Sequence, residues 1–425
     1  MRRWSGTNLA TAGAVISAAF LISLAAHADD SPHSDLWTRP TLLEGAGSPK
    51  AKLRQRGVAV DTWVTQFYQG VVAGDAEKDW QYGAKADVRV NLDGHKLGLW
   101  RGFSVHFHQE WVFGEDVNSL DTGALIPVNT ALAWPRVGGS DSDTSLYFNQ
   151  KFGDRLSVSV GKFNLLDTVA LSPIKGGGGL DTYWHMGIGI PFTGLTPPYI
   201  LGSISSLKTD WATYSLMVYD PRNAQDSDVL RHPFAEGVTI QPGISVPTRF
   251  FDLAGSVGLK VAYSTKEGFD LSKIPEAAAL PPESQAQLTQ KGSWSVAWSG
   301  DQYIWQDASN PEIGWGFFYE LAISDENPNP LSGHYYVGVG GSHKYLGHGL
   351  DRWGIGYFDY GLSGDLTDGL AQLGIDLRGE RGVELFYNVG ITPWLRLTAD
   401  LQWIEPFKPD RDDVVLTGFR LQTRF

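Results

Sequence analysis

The sequence contains no cysteine in 425 residues. That excludes disulfide staples and thiol chemistry, and it suits an oxidising compartment, where stray thiols are a hazard. Beyond its first residues the chain has no apolar run long enough for a membrane-spanning helix. Any membrane crossing would have to be made by strands, whose alternating residues average out in a hydropathy window. A basic excess is missing too. The formal charge is −13, and discounting Arg2 and Arg3 of a leader takes it to −15. This argues against a nucleic-acid partner, which requires a basic face. There is no HExxH and no GxSxG, and the run from Gly176 to Gly179 lacks the GKS/T ending of a phosphate loop. Gly161-Lys162 is followed by Phe163 and fails the same pattern. Neither a cofactor nor a metal is expected.

What is present begins with a secretory leader over 1–28. Arg2 and Arg3 give the basic start, 10–26 the apolar core, and Ala26-His27-Ala28 the small residues for cleavage. Residues 29–57 read as a polar segment with one short helix: Ser48 suits the N-cap, Pro49 the first turn and Gly57 the end. Lys50, Lys52, Arg54 and Arg56 make that helix basic, fit to stand in solvent or against an acidic pore mouth.

From Val60 onward the period is two. The pattern is clearest at 383–404. Val383, Leu385, Tyr387, Val389 and Ile391 share one face, then Leu395, Leu397, Ala399, Leu401 and Trp403, with Thr392-Pro393 as the turn. The opposite faces carry Glu384, Phe386, Asn388 and Gly390, then Arg396, Thr398, Asp400 and Gln402. The same alternation runs through Ala84–Leu92, Phe103–Trp111, Leu156–Val160, Phe251–Tyr263, Trp315–Ile323 and Val415–Phe425. Each arm has the length of about ten residues that a tilted strand needs to cross a bilayer. No charge interrupts these apolar stripes, whereas full charges such as Lys85, Asp87 and Arg89 sit on the polar faces. Aromatics crowd strand ends, where interfacial girdles fall: Trp294, Trp298, Tyr303, Trp305, Trp315, Trp353, Tyr357, Trp394 and Trp403. Long polar inserts at 116–143, 172–206, 221–247 and 264–292 contrast with short turns such as Gly153-Asp154. The expectation is an all-β chain, a transmembrane antiparallel barrel over 58–425 with long loops at its extracellular end. Phe425, on an amphipathic last strand, is the expected recognition signal for barrel-assembly machinery.

The stretches GWGFFYELAISDENPNP at 314–330, LDRWGIGY at 350–357 and ERGVELFYNVGITPWLRLTADLQ at 380–402 resemble the carbohydrate-selective porins of Gram-negative outer membranes, the OprB type. VPTRFF at 246–251 and GKFN at 161–164 are similar as well, and 53–68 more loosely. The resemblance implies a monomeric barrel of about sixteen strands in the outer membrane, passing sugars by facilitated diffusion and catalysing nothing. Residues 166–198 match no pattern of that family and are the candidate for a constriction loop. Sugars suit aromatic faces for their C–H surfaces and charged or amide groups for their hydroxyls. The candidate lining residues are therefore Arg89, Arg396 and Arg420 as donors. Glu110, Glu320, Glu384, Asn388, Asp400 and Gln402 are the acceptors, and Arg249 is added from the similar middle stretch. His106 and His108 share a strand face, but the sequence supplies no third metal ligand. Three other readings stay open: a porin for other solutes, a barrel enzyme with dispersed catalytic groups, and an exported glycan-binding or glycan-cleaving β-protein.

Overall fold

Period-two alternation becomes strand, and the strands close on themselves. The computed structural model describes residues 35–45, 47–169, 172–177, 179–190, 192–344 and 349–425. The leader expected over 1–28 lies outside them. Sixteen strands follow one another around the barrel in chain order: β1 (Val58–Ala73), β2 (Trp80–Asp93), β3 (Phe103–Gly114), β4 (Ser142–Phe152), β5 (Leu156–Asn164), β6 (Tyr199–Lys208), β7 (Thr213–Tyr219), β8 (Thr239–Phe250), β9 (Leu253–Phe269), β10 (Thr289–Gln306), β11 (Gly314–Ser324), β12 (Leu331–His343), β13 (Asp351–Leu362), β14 (Glu380–Thr392), β15 (Leu395–Glu405) and β16 (Val414–Arg424). All neighbours pair antiparallel, and β16 closes on β1 from Trp63↔Arg424 to Ala73↔Val415. Closure leaves no free edge, so every ladder amide finds a partner inside the sheet.

The two faces separate as the alternation requires. On β14, Leu385 and Ile391 point outward and are each 46% exposed, while Glu384, Phe386 and Asn388 at the alternate positions are buried inside. The apolar stripes therefore face away from the barrel axis, which is the arrangement lipid demands. Outward Trp294, Trp298 and Trp305 fit the expected girdle. Tyr303 does not. It shares the inward parity of Ser299 and Asp301 and joins the buried cluster, while the register shift between Tyr303 and Trp305 turns Trp305 outward.

One end of the barrel has short connections such as 153–155, 209–212 and 251–252; the other has long ones, 115–141, 165–198, 220–238, 270–288 and 363–379. Several strands run further into these inserts than the sequence suggested. β6 occupies 199–208 and β8 occupies 239–250, so 199–206 and 239–247, expected as loop, are strand. Their glycine, serine and proline content reads as turn, but small side chains here form an inner wall. Phe251 and Asp252 were expected on a strand. They are instead a two-residue turn with φ of 52° and 63°, and Phe251 is 98% exposed.

The short helix α1 (Pro49–Gln55) is capped by Ser48, whose Oγ accepts from the Ala51 N–H at 3.2 Å. It stands at the β1–β16 seam rather than across the mouth. Lys50 Nζ donates to the Phe425 carbonyl at 2.5 Å and pairs with Asp61 at 3.4 Å, and Arg54 pairs with Glu44 and Asp61.

Candidate functional site

The interior is shaped by the 115–141 and 165–198 loops, which fold into the lumen and hold each other. Thr130 N–H donates to the Trp184 carbonyl at 2.8 Å, and Met186 N–H to that of Pro127 at 2.9 Å. Their apolar side chains pack on inward phenylalanines of the wall. Tyr183 sets its ring against the edges of Phe318 and Phe386, and His185 stacks on Phe358 at 4.2 Å. Burying such a side chain contributes roughly 1.5–3 kcal/mol. The main buried cluster of this barrel thus lies inside its lumen, between the loops and the β11–β14 wall.

Half of the residues chosen as sugar ligands hold these loops, and Arg396 and Asp400 bond elsewhere beside them. Glu384 accepts from the N–H groups of Trp184 (2.5 Å) and His185 (3.1 Å). Arg420 donates to the carbonyls of Gly179 (2.8 Å) and Thr182 (2.9 Å) and lies over the Trp184 ring. Asn388 reaches the Asp181 carbonyl at 3.3 Å, and Gln402 reaches that of Val128 at 3.0 Å. Asp400 accepts from Gln402 at 2.9 Å. Arg396 donates to the Leu350 carbonyl at 3.1 Å. Beside it, the Asp181 carboxyl meets Arg424, Arg396, Arg420 and Arg352; burial alone would raise it, but the four guanidiniums hold it well below the usual carboxylate range.

A second anchor lies further round the wall, on β2 and β3. Asp167, on the short helix α2 (Leu166–Val169) that opens the 165–198 loop, pairs with Arg89 and accepts from His108 Nδ1 at 2.9 Å. Burial works against its charge, yet Arg89, then His108 and Lys85, bring the Asp167 carboxyl down to about 2. Arg89 also lies 4.6 Å over the Trp63 ring. Glu110 is buried, 2.6 Å from the Lys85 ammonium, and accepts from Asn164 and the Tyr199 hydroxyl. Asp87, His108 and Glu110 bring ligand atoms within 4.8 Å of one another. These are the further ligands the sequence did not suggest, but Lys85 sits among them and both His108 nitrogens face carboxylates. His106 turns elsewhere, to Asn91 and Ser104. Arg249 shares the inward parity but stands at the short-turn rim, 56% exposed and 3.5 Å from Asp252.

What remains open is a cavity of about 200 Å³ between the 165–198 loop and the β7–β12 wall. The wall there is built of small or polar groups, Ser215, Gln241, Ser295 and Ser299, with Lys260 and Glu320 among them. Phe192 and Met186 face them from the loop, and Phe318 and Tyr336 complete the lining. Glu320, chosen from sequence, lines this cavity, and its carboxylate accepts from His334 Nε2 at 3.1 Å. Lys260 was visible as the polar member of an alternating strand but carried no further signal. Lys175, from the loop, donates to the carbonyls of Ile188 (2.7 Å) and Gly189 (3.3 Å). Burial lowers its amine to about 7, with Glu320 opposing and Lys260 reinforcing the shift.

No curated protein sequence matches the chain. The high-pH structure of Pseudomonas putida OprB superposes with a TM-score of 0.77 at 17% identity, covering 92% of this chain and 99% of that one. The low-pH structure of the same protein gives 0.52 at 14% identity over the same shares. At these identities the likeness speaks for the fold, a closed barrel with a wide lumen. Residues 219–425, which include β8 to β16 and half of the cavity wall, match the sequence profile described as "Carbohydrate-selective porin, OprB family". Over these residues the chain is similar to the OprB family of carbohydrate-selective porins, and the barrel they complete has the fold of an OprB structure.

Proposed function

We propose that the chain is a passive outer-membrane channel for the facilitated diffusion of mono- and oligosaccharides, working as a monomer. The observation that carries this reading is the narrowed passage itself. A loop fixed on two sides leaves a cavity in which aromatic faces (Phe192, Phe318, Tyr336) oppose hydroxyl, amide and charged groups (Ser295, Ser299, Gln241, Glu320). A sugar offers both complementary surfaces, and a dispersed set of weak contacts lets it leave as readily as it enters. Of the residues chosen from sequence, we assign Glu320 to solute contact. Arg89, Glu384, Asn388, Gln402 and Arg420 shape the passage by fixing the loops, with Glu110, Arg396 and Asp400 beside them, and Arg249 acts at the exit rim. In this reading 1–28 is a cleaved leader, 29–57 a periplasmic segment bracing the seam, and 58–425 the channel. Lipid surrounds the outward stripes, and Phe425 ends the strand offered to the assembly machinery.

The test is conductance in planar bilayers while glucose and disaccharides are titrated. Current that falls saturably with sugar is the expected result. Stable channels indifferent to sugar would leave a porin for other solutes. Well-folded protein that forms no channel would overturn the reading altogether.

A further inference from the structure

The lumen holds charges of both signs, and they are not used alike. Among the described residues, the carboxylates on inward strand positions are engaged. Asp143 pairs with Lys162 at 2.6 Å, Asp301 accepts from Ser256 Oγ at 2.8 Å, and Glu110, Glu320 and Glu384 have the partners given above. Three lysines differ. Lys151 on β4, Lys208 on β6 and Lys260 on β9 share the inward parity of their buried neighbours Asn149, Ser206 and Ala262. None of the three ammonium groups makes a hydrogen bond or ion pair among the described residues. Lys260 lines the cavity. Lys151 and Lys208 stand on the same side of the barrel, next to the short turns 153–155 and 209–212. The unmatched charge along the open route is therefore positive, although the chain as a whole carries −13. At a constriction the nearby groups set the field, because charges beyond about 8–10 Å are screened by salt.

We propose that the passage selects acidic sugars, monosaccharides bearing one carboxylate such as uronates and aldonates, with Lys260 as the residue that receives the carboxylate. This deepens the channel reading above and rests on it. The carboxylate docks on the Lys260 ammonium, whose attraction is stronger in the narrowed lumen than in bulk water. The hydroxyls face Ser295 and Ser299 on β10, beside Lys260, and Glu320 on β11, one strand further. Lys208 and Lys151 then draw the anion on toward the short-turn end. A neutral sugar uses the same hydroxyl contacts without the ionic one.

The experiment compares glucuronate with glucose as blockers of single-channel current in KCl at neutral pH. The wild-type protein is expected to be half-blocked by glucuronate at a concentration about five- to tenfold lower than by glucose. Lys260→Gln should bring that ratio to about one. Lys260→Arg, which keeps the cation, should retain it. Lys291→Gln removes the same charge from the exposed β10 end, where Lys291 pairs with Glu267, and should leave the ratio at its wild-type value. Folding of each variant is checked by heat-modifiable migration in SDS gels. Saturable block by glucose with no preference for glucuronate overturns this inference and leaves the sugar channel standing. A preference that survives Lys260→Gln overturns the assignment to Lys260. If neither solute blocks, the channel reading falls as well.

Discussion

A carboxylate that accepts two backbone N–H groups has a different task from one that faces water. Glu384 is wholly buried, and the two amides it accepts from, those of Trp184 and His185, are at the tip of the 165–198 loop. A hydrogen bond contributes about 0.5–1.5 kcal/mol net, and a buried amide left without its acceptor costs about 1–3 kcal/mol. Glu384→Ala removes two and strands two amides. We expect higher single-channel conductance, faster proteolytic cutting within 165–198 and weaker sugar block, with Glu384→Gln intermediate. Conductance at the wild-type level in the alanine variant would show that the tip is held by its aromatic contacts alone. Lys175 makes a pH prediction. Its amine lies near 7, under burial and Lys260, with Glu320 opposing; the carbonyls of Ile188 and Gly189 and the Tyr336 ring complete its surroundings. The group is charged below that value and neutral above it. The anion-to-cation permeability ratio, read from reversal potentials in a KCl gradient, should therefore be higher at pH 6 than at pH 8, and Lys175→Met should flatten the change. The linkage has a fixed sign. Between about 7 and the ordinary lysine value of 10.5 the unfolded chain binds the proton that the folded chain has released, so Lys175 makes stability rise with pH across that window.

At the scale of elements, the loop can seat only because β13 presents glycine to it. A Cβ at Gly354 would stand 2.4 Å from the Tyr183 hydroxyl and 2.8 Å from Phe386 Cε1; one at Gly356 would stand 2.8 Å from Ile188 Cδ1. Gly354→Val should push the loop off the β13 wall. We expect a barrel that still migrates as a folded, heat-modifiable band but conducts more and is blocked less by sugar. The β14–β15 hairpin was legible from sequence because its two faces differ at every position except Phe386 and Gly390. β6 and β8 were not, since an inner wall of serine and glycine has the composition of a turn. The inwardness of Glu384, Asn388, Gln402 and Arg420 was legible from the same alternation. Their partners were not: Trp184 lies 200 positions from Glu384, and periodicity says nothing about contacts that a loop makes after folding back. One clue was available. Phe318 and Phe386 sit on faces otherwise polar, and an inward phenylalanine implies something apolar in the lumen to cover it.

At the scale of the whole molecule, the outer belt and the inner wall make opposite demands on the same residue type. Leu385 lies near the middle of β14, paired with Ile355 on one side and Leu401 on the other, and points out. Ser295 lies on β10 and points into the cavity. Arginine at a lipid-facing position near the bilayer midplane costs about 2–4 kcal/mol; in a wet lumen it carries no such penalty. Leu385→Arg should therefore shift the urea midpoint for folding into phosphatidylcholine vesicles to lower denaturant. Ser295→Arg should leave the midpoint near that of the wild type and instead reduce conductance by filling the passage. The pair separates two architectures as well as two residues. If Leu385→Arg folded as readily as the wild type while Ser295→Arg did not, the exposed stripe would be facing water and the interior would be a closed core, and the barrel could not be a channel in a membrane.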